Sequence, residues 1–102
     1  MHLIQILLPI YDNTGEPFGD QYYSGVRQEL TDRFGGLTAF TRAPAQGLWR
    51  NQGETTTHDD IVVFEVMTPD VDWEWWRRYR AALEELFRQA HVVIRAHAVT
   101  LL

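Results

Sequence analysis

Apolar residues form a nearly continuous run at the start of the chain. His2 to Tyr11 is rich in leucine and isoleucine, contains Pro9, and is followed by the polar segment Asp12-Asn13-Thr14-Gly15. The run is shorter than a typical helix, and such runs are characteristic of a buried central strand with a turn behind it. We therefore predict that His2–Tyr11 forms the first strand.

Two later segments repeat their apolar residues with helical spacing. The first helix is predicted from Asp20, which is placed to cap its start, to Phe34, with Gly35 in the left-handed conformation at its end. The second is predicted over about Val71–Gln89. Its apolar stripe consists of Trp76, Tyr79, Leu83, Phe87 and Ala90. Its other face is predicted to be solvated and to hold three ion pairs at four-residue spacing: Glu74 with Arg78, Arg80 with Glu84, and Glu84 with Arg88.

Three further segments have the composition of strands: Gly36–Ala43, Asp60–Thr68 and His91–Leu102. The element order β-α-β-β-α-β predicts an α+β, ferredoxin-like fold. This fold has a four-stranded antiparallel sheet in the order 4-1-3-2 with two helices on one face. A length of 102 residues fits a single domain, 1–102.

The sheet face without helices has a mixed character. Alternation along the strands places on it Leu3, Gln5, Leu7, Phe40, Arg42, Val63, Glu65, Met67, Val93, Arg95 and His97. This set is too apolar for open water and too polar for a core. We predict a homodimer that forms through this face, and a ligand cavity lined by the polar members is the sharper hypothesis.

Gln5 is predicted to lie between Glu65 on one neighbouring strand and Arg95 or His97 on the other, with strands about 4.8 Å apart. In a functional interpretation, Glu65 or His97 moves a proton and Arg95 stabilises a developing anion. In a structural interpretation, the same residues form a buried ion pair with a glutamine spacer. The spacing does not separate the two.

Two aromatic features lie outside this row. Trp49 interrupts a polar loop, which predicts that it covers the sheet or contacts a partner. Arg42 and Arg50 flank it and suit an anionic or aromatic ligand. Trp73 and Trp75 begin the second helix, where they either pack at its rim or contact a dimer partner or ligand. Tyr11 is a further candidate for proton transfer.

The composition excludes several chemistries. The chain has no cysteine, and its nine basic residues are all arginine. Disulfides, thiol nucleophiles and Schiff-base chemistry are therefore excluded. Ser24 is the only serine and lacks a nucleophile-elbow motif, which makes a serine hydrolase a poor fit. The His58-Asp59-Asp60 cluster is interpreted as turn chemistry, so no metal or cofactor is predicted.

A net charge of −5 argues against a nucleic-acid partner. The sequence also lacks an apolar run long enough to span a membrane and a signal peptide at its start. These features predict a cytoplasmic protein with no membrane partner.

The chain resembles the dimeric α/β-barrel superfamily of ferredoxin-like proteins over essentially its whole length. The segment Arg33-Phe34-Gly35-Gly36-Leu37-Thr38-Ala39-Phe40, with Gly47-Leu48-Trp49, also looks like a small set of uncharacterised bacterial proteins of this size. In the superfamily, two facing sheets enclose a chamber that serves cofactor-independent monooxygenases, isomerases, haem enzymes and non-catalytic stress proteins. The resemblance implies a chamber for a small molecule and assigns no catalytic residue.

Three functions follow as hypotheses. The first is a homodimer whose chamber binds a small aromatic or carboxylated molecule, with proton transfer or oxygenation as its candidate chemistry. The second is a non-catalytic dimerisation or accessory module whose polar residues set the register. The third is a module that binds a larger partner through exposed tryptophans.

Overall fold

Two helices and an antiparallel sheet make up the described part of the chain. The computed structural model describes residues 1–42 and 61–102, with the backbone alone for residues 39–42. The elements are β1 (His2–Pro9), α1 (Asp20–Phe34), β2 (Thr38–Arg42), β3 (Ile61–Thr68), α2 (Trp73–Leu86) and β4 (Val93–Ala98). The predicted α+β class is confirmed. Within the described ranges, no helix has the length and apolarity needed to cross a membrane.

The central strand is β1, which pairs antiparallel with β3 on one side and β4 on the other. Gln5 lies directly opposite Glu65 in β3 and directly opposite Arg95 in β4. The short strand β2 pairs through its backbone with β3, and Thr38 lies opposite Glu65. The strands therefore follow one another as β2-β3-β1-β4.

The helix ends differ in part from the prediction. Asp20 is the first residue of α1, and the capping position belongs to Gly19, with no side-chain cap, so the predicted role of Asp20 is wrong. Gly35 has a φ of 76° and donates its N–H to the Thr31 carbonyl, which confirms its left-handed position. Asp72 caps α2 by accepting from the N–H of Trp75 at 3.1 Å. The side-chain cap makes α2 begin at Trp73, two residues later than predicted.

The core lies between the sheet and the helices. Alternate residues of β1 are buried in it, together with Phe64 and Val66 of β3 and with Val26 and Leu30 of α1. The predicted stripe of α2 is confirmed for Trp76, Tyr79, Leu83 and Phe87. Ala90 is exposed, because α2 ends at Leu86 and the helical spacing does not extend to residue 90.

Aromatic rings fill the two ends of this core. At one end, Phe87 contacts the rings of Phe18, Tyr22 and Tyr23 at centroid distances of 5.0, 5.7 and 5.6 Å. At the other end, Trp75 stacks on Tyr79 at 4.8 Å, and the Arg33 guanidinium lies 4.1 Å from the centroid of the Trp75 ring. Trp75 therefore packs against the core, whereas Trp73 is 72% exposed.

Only one of the predicted ion pairs of α2 forms among the described residues. Arg78 lies 3.3 Å from Glu74, as predicted. Glu84 instead accepts the backbone N–H of Val92 at 3.0 Å and pairs with neither Arg80 nor Arg88. Val92 is only 4% exposed, and a buried N–H needs an acceptor more than a surface arginine needs a carboxylate.

The buried hydroxyl of Tyr79 affects how the free energy of unfolding depends on alkaline pH. This atom is buried and has no hydrogen-bond partner among the described residues, and burial, with a smaller effect of Glu29, raises the pKa of Tyr79. The unfolded chain loses this proton near pH 10, while the folded chain keeps it. The free energy of unfolding is therefore unaffected by this group below about pH 10 and falls as pH rises above it.

We expect Tyr79→Phe to change the free energy of unfolding at pH 7 by less than about 1 kcal/mol, and to flatten its decline above pH 10. Urea denaturation from pH 8 to 11 measures both. Some decline should remain, because burial also raises the pKa of Tyr23. An unchanged decline in Tyr79→Phe would show that Tyr79 does not contribute.

Candidate functional site

The face of the sheet opposite the helices is named the open face. Among the described side chains it consists of Leu3, Gln5 and Leu7 of β1, Val63, Glu65 and Met67 of β3, and Val93, Arg95 and His97 of β4. The core cluster between the sheet and the helices contains none of them, although Val63 is itself buried, at 2% exposed. Met67 is 47% exposed and Val93 is 50% exposed. The open face thus presents apolar side chains to water.

Three of the predicted site residues are joined by hydrogen bonds across the strands. Gln5 donates from Nε2 to Oε2 of Glu65 at 2.6 Å, and Arg95 donates from Nε to Oε1 of Gln5 at 2.7 Å. An ionised carboxylate only accepts and a guanidinium only donates, so the Gln5 amide can be oriented in one way only. We call Glu65, Gln5 and Arg95 the polar row.

Apolar side chains border the polar row on both sides. Toward one end of the strands, Leu7 lies opposite Val63 and Val93. Toward the other end, Leu3 lies opposite Met67, and His97 is its other neighbour. The Gln5–Glu65 hydrogen bond is partly buried, whereas the Arg95–Gln5 hydrogen bond is exposed, so water is partly excluded only from the Glu65 end of the row.

The polar row is suited to holding charge. The glutamine separates the carboxylate from the guanidinium, and its amide does not pass protons between them at ordinary pH. Proton transfer at Glu65 would therefore need a donor from outside the row. Arg95 donates from Nε to Gln5. Its two terminal nitrogens do not take part in this bond, and they form a fork suited to a carboxylate.

His97 and Tyr11 are not part of the polar row. His97 lies opposite Leu3 on the exposed strand β4, and no hydrogen bond joins it to another described residue. Tyr11 follows the end of β1 and forms a single bridge with Pro17. At about 3.3 Å per residue, Tyr11 is roughly 20 Å along an extended chain from Gln5. The structure therefore does not bring Tyr11 to the polar row.

Several residues of the predicted site lie wholly or partly outside the described residues. Phe40 and Arg42 lie on β2, with their backbones opposite Val63 and Ile61, but their side chains are outside the described residues. Trp49 and the segment 58–60 lie wholly outside them. Their predicted roles stay predictions. In the part of the chain that is described, no group of three or more His, Asp or Glu residues is arranged to hold a metal ion.

One neighbour of the polar row is absent from the predicted site. Thr38 of β2 lies directly opposite Glu65 and is exposed, so its hydroxyl belongs to the same line of cross-strand positions. Extending the alternation of β2 back by one step from Phe40 would have found it. The prediction considered only Phe40 and Arg42 on this strand.

Comparisons of the chain with protein-family models, with curated proteins and with solved structures found no match. The function is therefore inferred from the geometry of the open face itself.

Proposed function

We propose that the open face binds a second copy of this chain, as in a ferredoxin-like dimeric α/β barrel, and that the chamber between the two sheets holds a small carboxylated molecule. The observation that carries the proposal is the polar row with apolar side chains on both sides of it. A two-fold symmetric contact uses the same surface of both copies, so apolar bands would meet apolar bands. Burial of Met67 and Val93, each about half exposed, would favour this contact.

The charges of the polar row favour one orientation of the second copy. Glu65 and Arg95 lie at opposite ends of the row, with Gln5 between them. A two-fold axis parallel to the strands reverses the row, and so brings each carboxylate over a guanidinium. An axis along the row would bring like charges together, at a cost on the order of several kcal/mol. We infer the axis parallel to the strands.

Where the chamber holds the two polar rows apart, the terminal nitrogens of Arg95 remain available and favour a carboxylate as the polar part of the ligand. The apolar borders of the row favour an aromatic or aliphatic remainder. Monooxygenase or isomerase chemistry would depend on the reactivity of the bound molecule, because the row offers no proton relay. The alternative is a non-catalytic dimerisation module, which is supported by the fact that both ends of the Gln5 amide are already hydrogen-bonded.

Sedimentation velocity across a range of concentrations tests the dimer. We expect the wild type to sediment as a dimer, and Met67→Glu to raise its dissociation constant at least about a hundredfold, because each copy would bury an unpaired charge. Leu86→Glu is the matched control, since Leu86 is 45% exposed and Met67 is 47% exposed, but Leu86 lies on α2. A wild-type monomer, or equal effects of both variants, would contradict the proposal.

Calorimetry with benzoate and indole-3-acetate tests the ligand. We expect binding to the wild-type dimer, and a loss of about tenfold or more in Arg95→Gln, which keeps an amide donor for Gln5. Benzyl alcohol, which lacks the carboxylate, should bind both proteins equally. A dimer that binds none of these probes would favour the dimerisation module.

A further inference from the structure

The outer edge of β4 has backbone groups that no other described strand pairs. Val99 donates its N–H to the Met1 carbonyl at 3.0 Å, which continues the register in which His2 lies opposite Ala98. Hydrogen-bonded pairs alternate along antiparallel strands. The N–H and C=O groups of Ile94, Ala96 and Ala98 therefore point away from β1. In the described part of the chain, no strand pairs with that edge.

Within residues 1–42 and 61–102, this edge has little of the usual protection against a further strand. Proteins block open edges with lysine, proline or a bulge. The sequence of β4 is Val-Ile-Arg-Ala-His-Ala, with no proline or lysine, and its pairing with β1 is continuous from Leu7 to His2. Arg95 lies on the open face, and Ala96 and Ala98 are small and exposed. An incoming backbone can therefore approach the edge closely.

A groove runs beside this edge, between β4 and the start of α2. Its volume is about 290 Å³, and its lining includes Trp73, Trp76, Arg77, Arg80, Ile94 and Ala96. The four residues from α2 have the spacing i, i+3, i+4, i+7 and so share one face of the helix. Trp76 is buried at the apolar floor, and Trp73 is exposed at the rim.

The charge of the groove is opposite to that of the chain. The net charge is −5, yet the lining contains arginines and no carboxylate. Glu84, the predicted partner of Arg80, accepts the Val92 N–H instead. Among the described residues, neither Arg77 nor Arg80 has an ion-pair partner, and cations on one helix face repel each other. A carboxylate in the groove would relieve this repulsion.

We propose that the outer edge of β4 and the groove beside it bind an extended peptide segment of another protein, which carries a carboxylate and an aromatic side chain and adds a strand to the sheet. Its backbone pairs with Ile94 and Ala96, and alternate side chains enter the groove. Trp73 receives the aromatic ring, and Arg77 and Arg80 receive the carboxylate. A second copy of β4 is disfavoured, because it would bring two arginine-lined grooves together.

Fluorescence polarisation tests the charge of this site. The probe is a fluorescein-labelled heptapeptide in which threonine alternates with valine, phenylalanine and glutamate. We expect saturable binding to the wild type and a loss of at least about tenfold in the double variant Arg77→Glu, Arg80→Glu. The single change Arg78→Glu alters the charge of α2 by half as much and lies outside the groove lining, and its effect should be less than about twofold. Equal losses in Arg78→Glu, or no binding at all, would overturn the proposal.

Two changes to the backbone test strand addition. Ala96→Pro removes an N–H that points away from β1, so the sheet is retained and docking is lost. The same heptapeptide with N-methylated amides at alternate positions should also fail to bind the wild type. Binding unaffected by both changes would make the groove a site for a small aromatic carboxylate and would contradict the proposal. Self-association of the wild type that disappears in Ala96→Pro would instead identify a second copy as the occupant.

The peptide site and the dimer interface share Arg95 but are distinguishable. Met67→Glu, which alters the open face, should bind the heptapeptide as the wild type does. A failure of dimerisation therefore leaves the peptide site intact.

Discussion

Replacement of Phe87 by alanine is expected to lower the free energy of unfolding by about 3–5 kcal/mol. The Phe87 side chain is fully buried, and three other aromatic rings contact it. It follows α2 directly, and its partners Phe18, Tyr22 and Tyr23 belong to the start of α1 and the segment before it. Truncation would leave a cavity that three rigid rings cannot fill by small movements.

Urea denaturation followed by circular dichroism measures this loss. If the domain lies at the lower end of the typical range of about 5–15 kcal/mol, the variant would be close to unfolding at room temperature. The neighbouring change Leu86→Ala is the control, because Leu86 is 45% exposed and its truncation should cost less than about 1 kcal/mol. Equal costs at the two positions would show that the ring cluster does not hold α1 to α2.

Replacement of Glu84 by alanine is expected to cost about 1–3 kcal/mol, even though this residue is only half-buried on a helix. Its carboxylate accepts the N–H of Val92 at 3.0 Å. Without the Glu84 carboxylate, the buried N–H of Val92 loses its acceptor. The segment between α2 and β4 then loses a hydrogen bond that ties it to the helix.

Two variants make the interpretation specific. Glu84→Gln keeps an acceptor oxygen and should restore most of the stability. Glu85→Ala removes a carboxylate from an exposed neighbour and should change stability by less than about 0.5 kcal/mol. Hydrogen exchange at the Val92 amide gives a local measurement, since exchange should accelerate in Glu84→Ala and stay slow in Glu84→Gln. Slow exchange in both would show that another group protects this amide.

Periodicity was enough to predict the helices and the alternation of β1 and β3. Apolar spacing over 15 residues of α1 leaves one face to bury, and alternation in β1 separates Ile4 and Ile6 from Gln5. For the same reason, the sequence placed Gln5 between Glu65 and either Arg95 or His97, and the register of β4 decides for Arg95. The direction of the hydrogen bonds in this row could also have been derived from donor and acceptor chemistry alone.

It was harder to predict which of several available partners a side chain contacts. Glu84 has two arginines at helical spacing, but the buried N–H of Val92 takes its carboxylate, and burial depends on the tertiary fold. Trp75 lies off the apolar stripe of α2, yet it is covered because Arg33 and Phe34 at the end of α1 pack against it. Helical spacing describes one element at a time and does not include such neighbours from another element.

The position of β1 has a consequence for the synthesis of this chain. Its hydrogen-bond partners in β3 and β4 come 60 and 90 residues later, as the bonds of Gln5 to Glu65 and Arg95 illustrate. At a translation rate of about 5–20 residues per second, a leucine- and isoleucine-rich strand waits unpaired for several seconds on the ribosome. Nascent β1 is thus an expected client of chaperones that bind short apolar segments, until the second half of the chain emerges and completes the sheet.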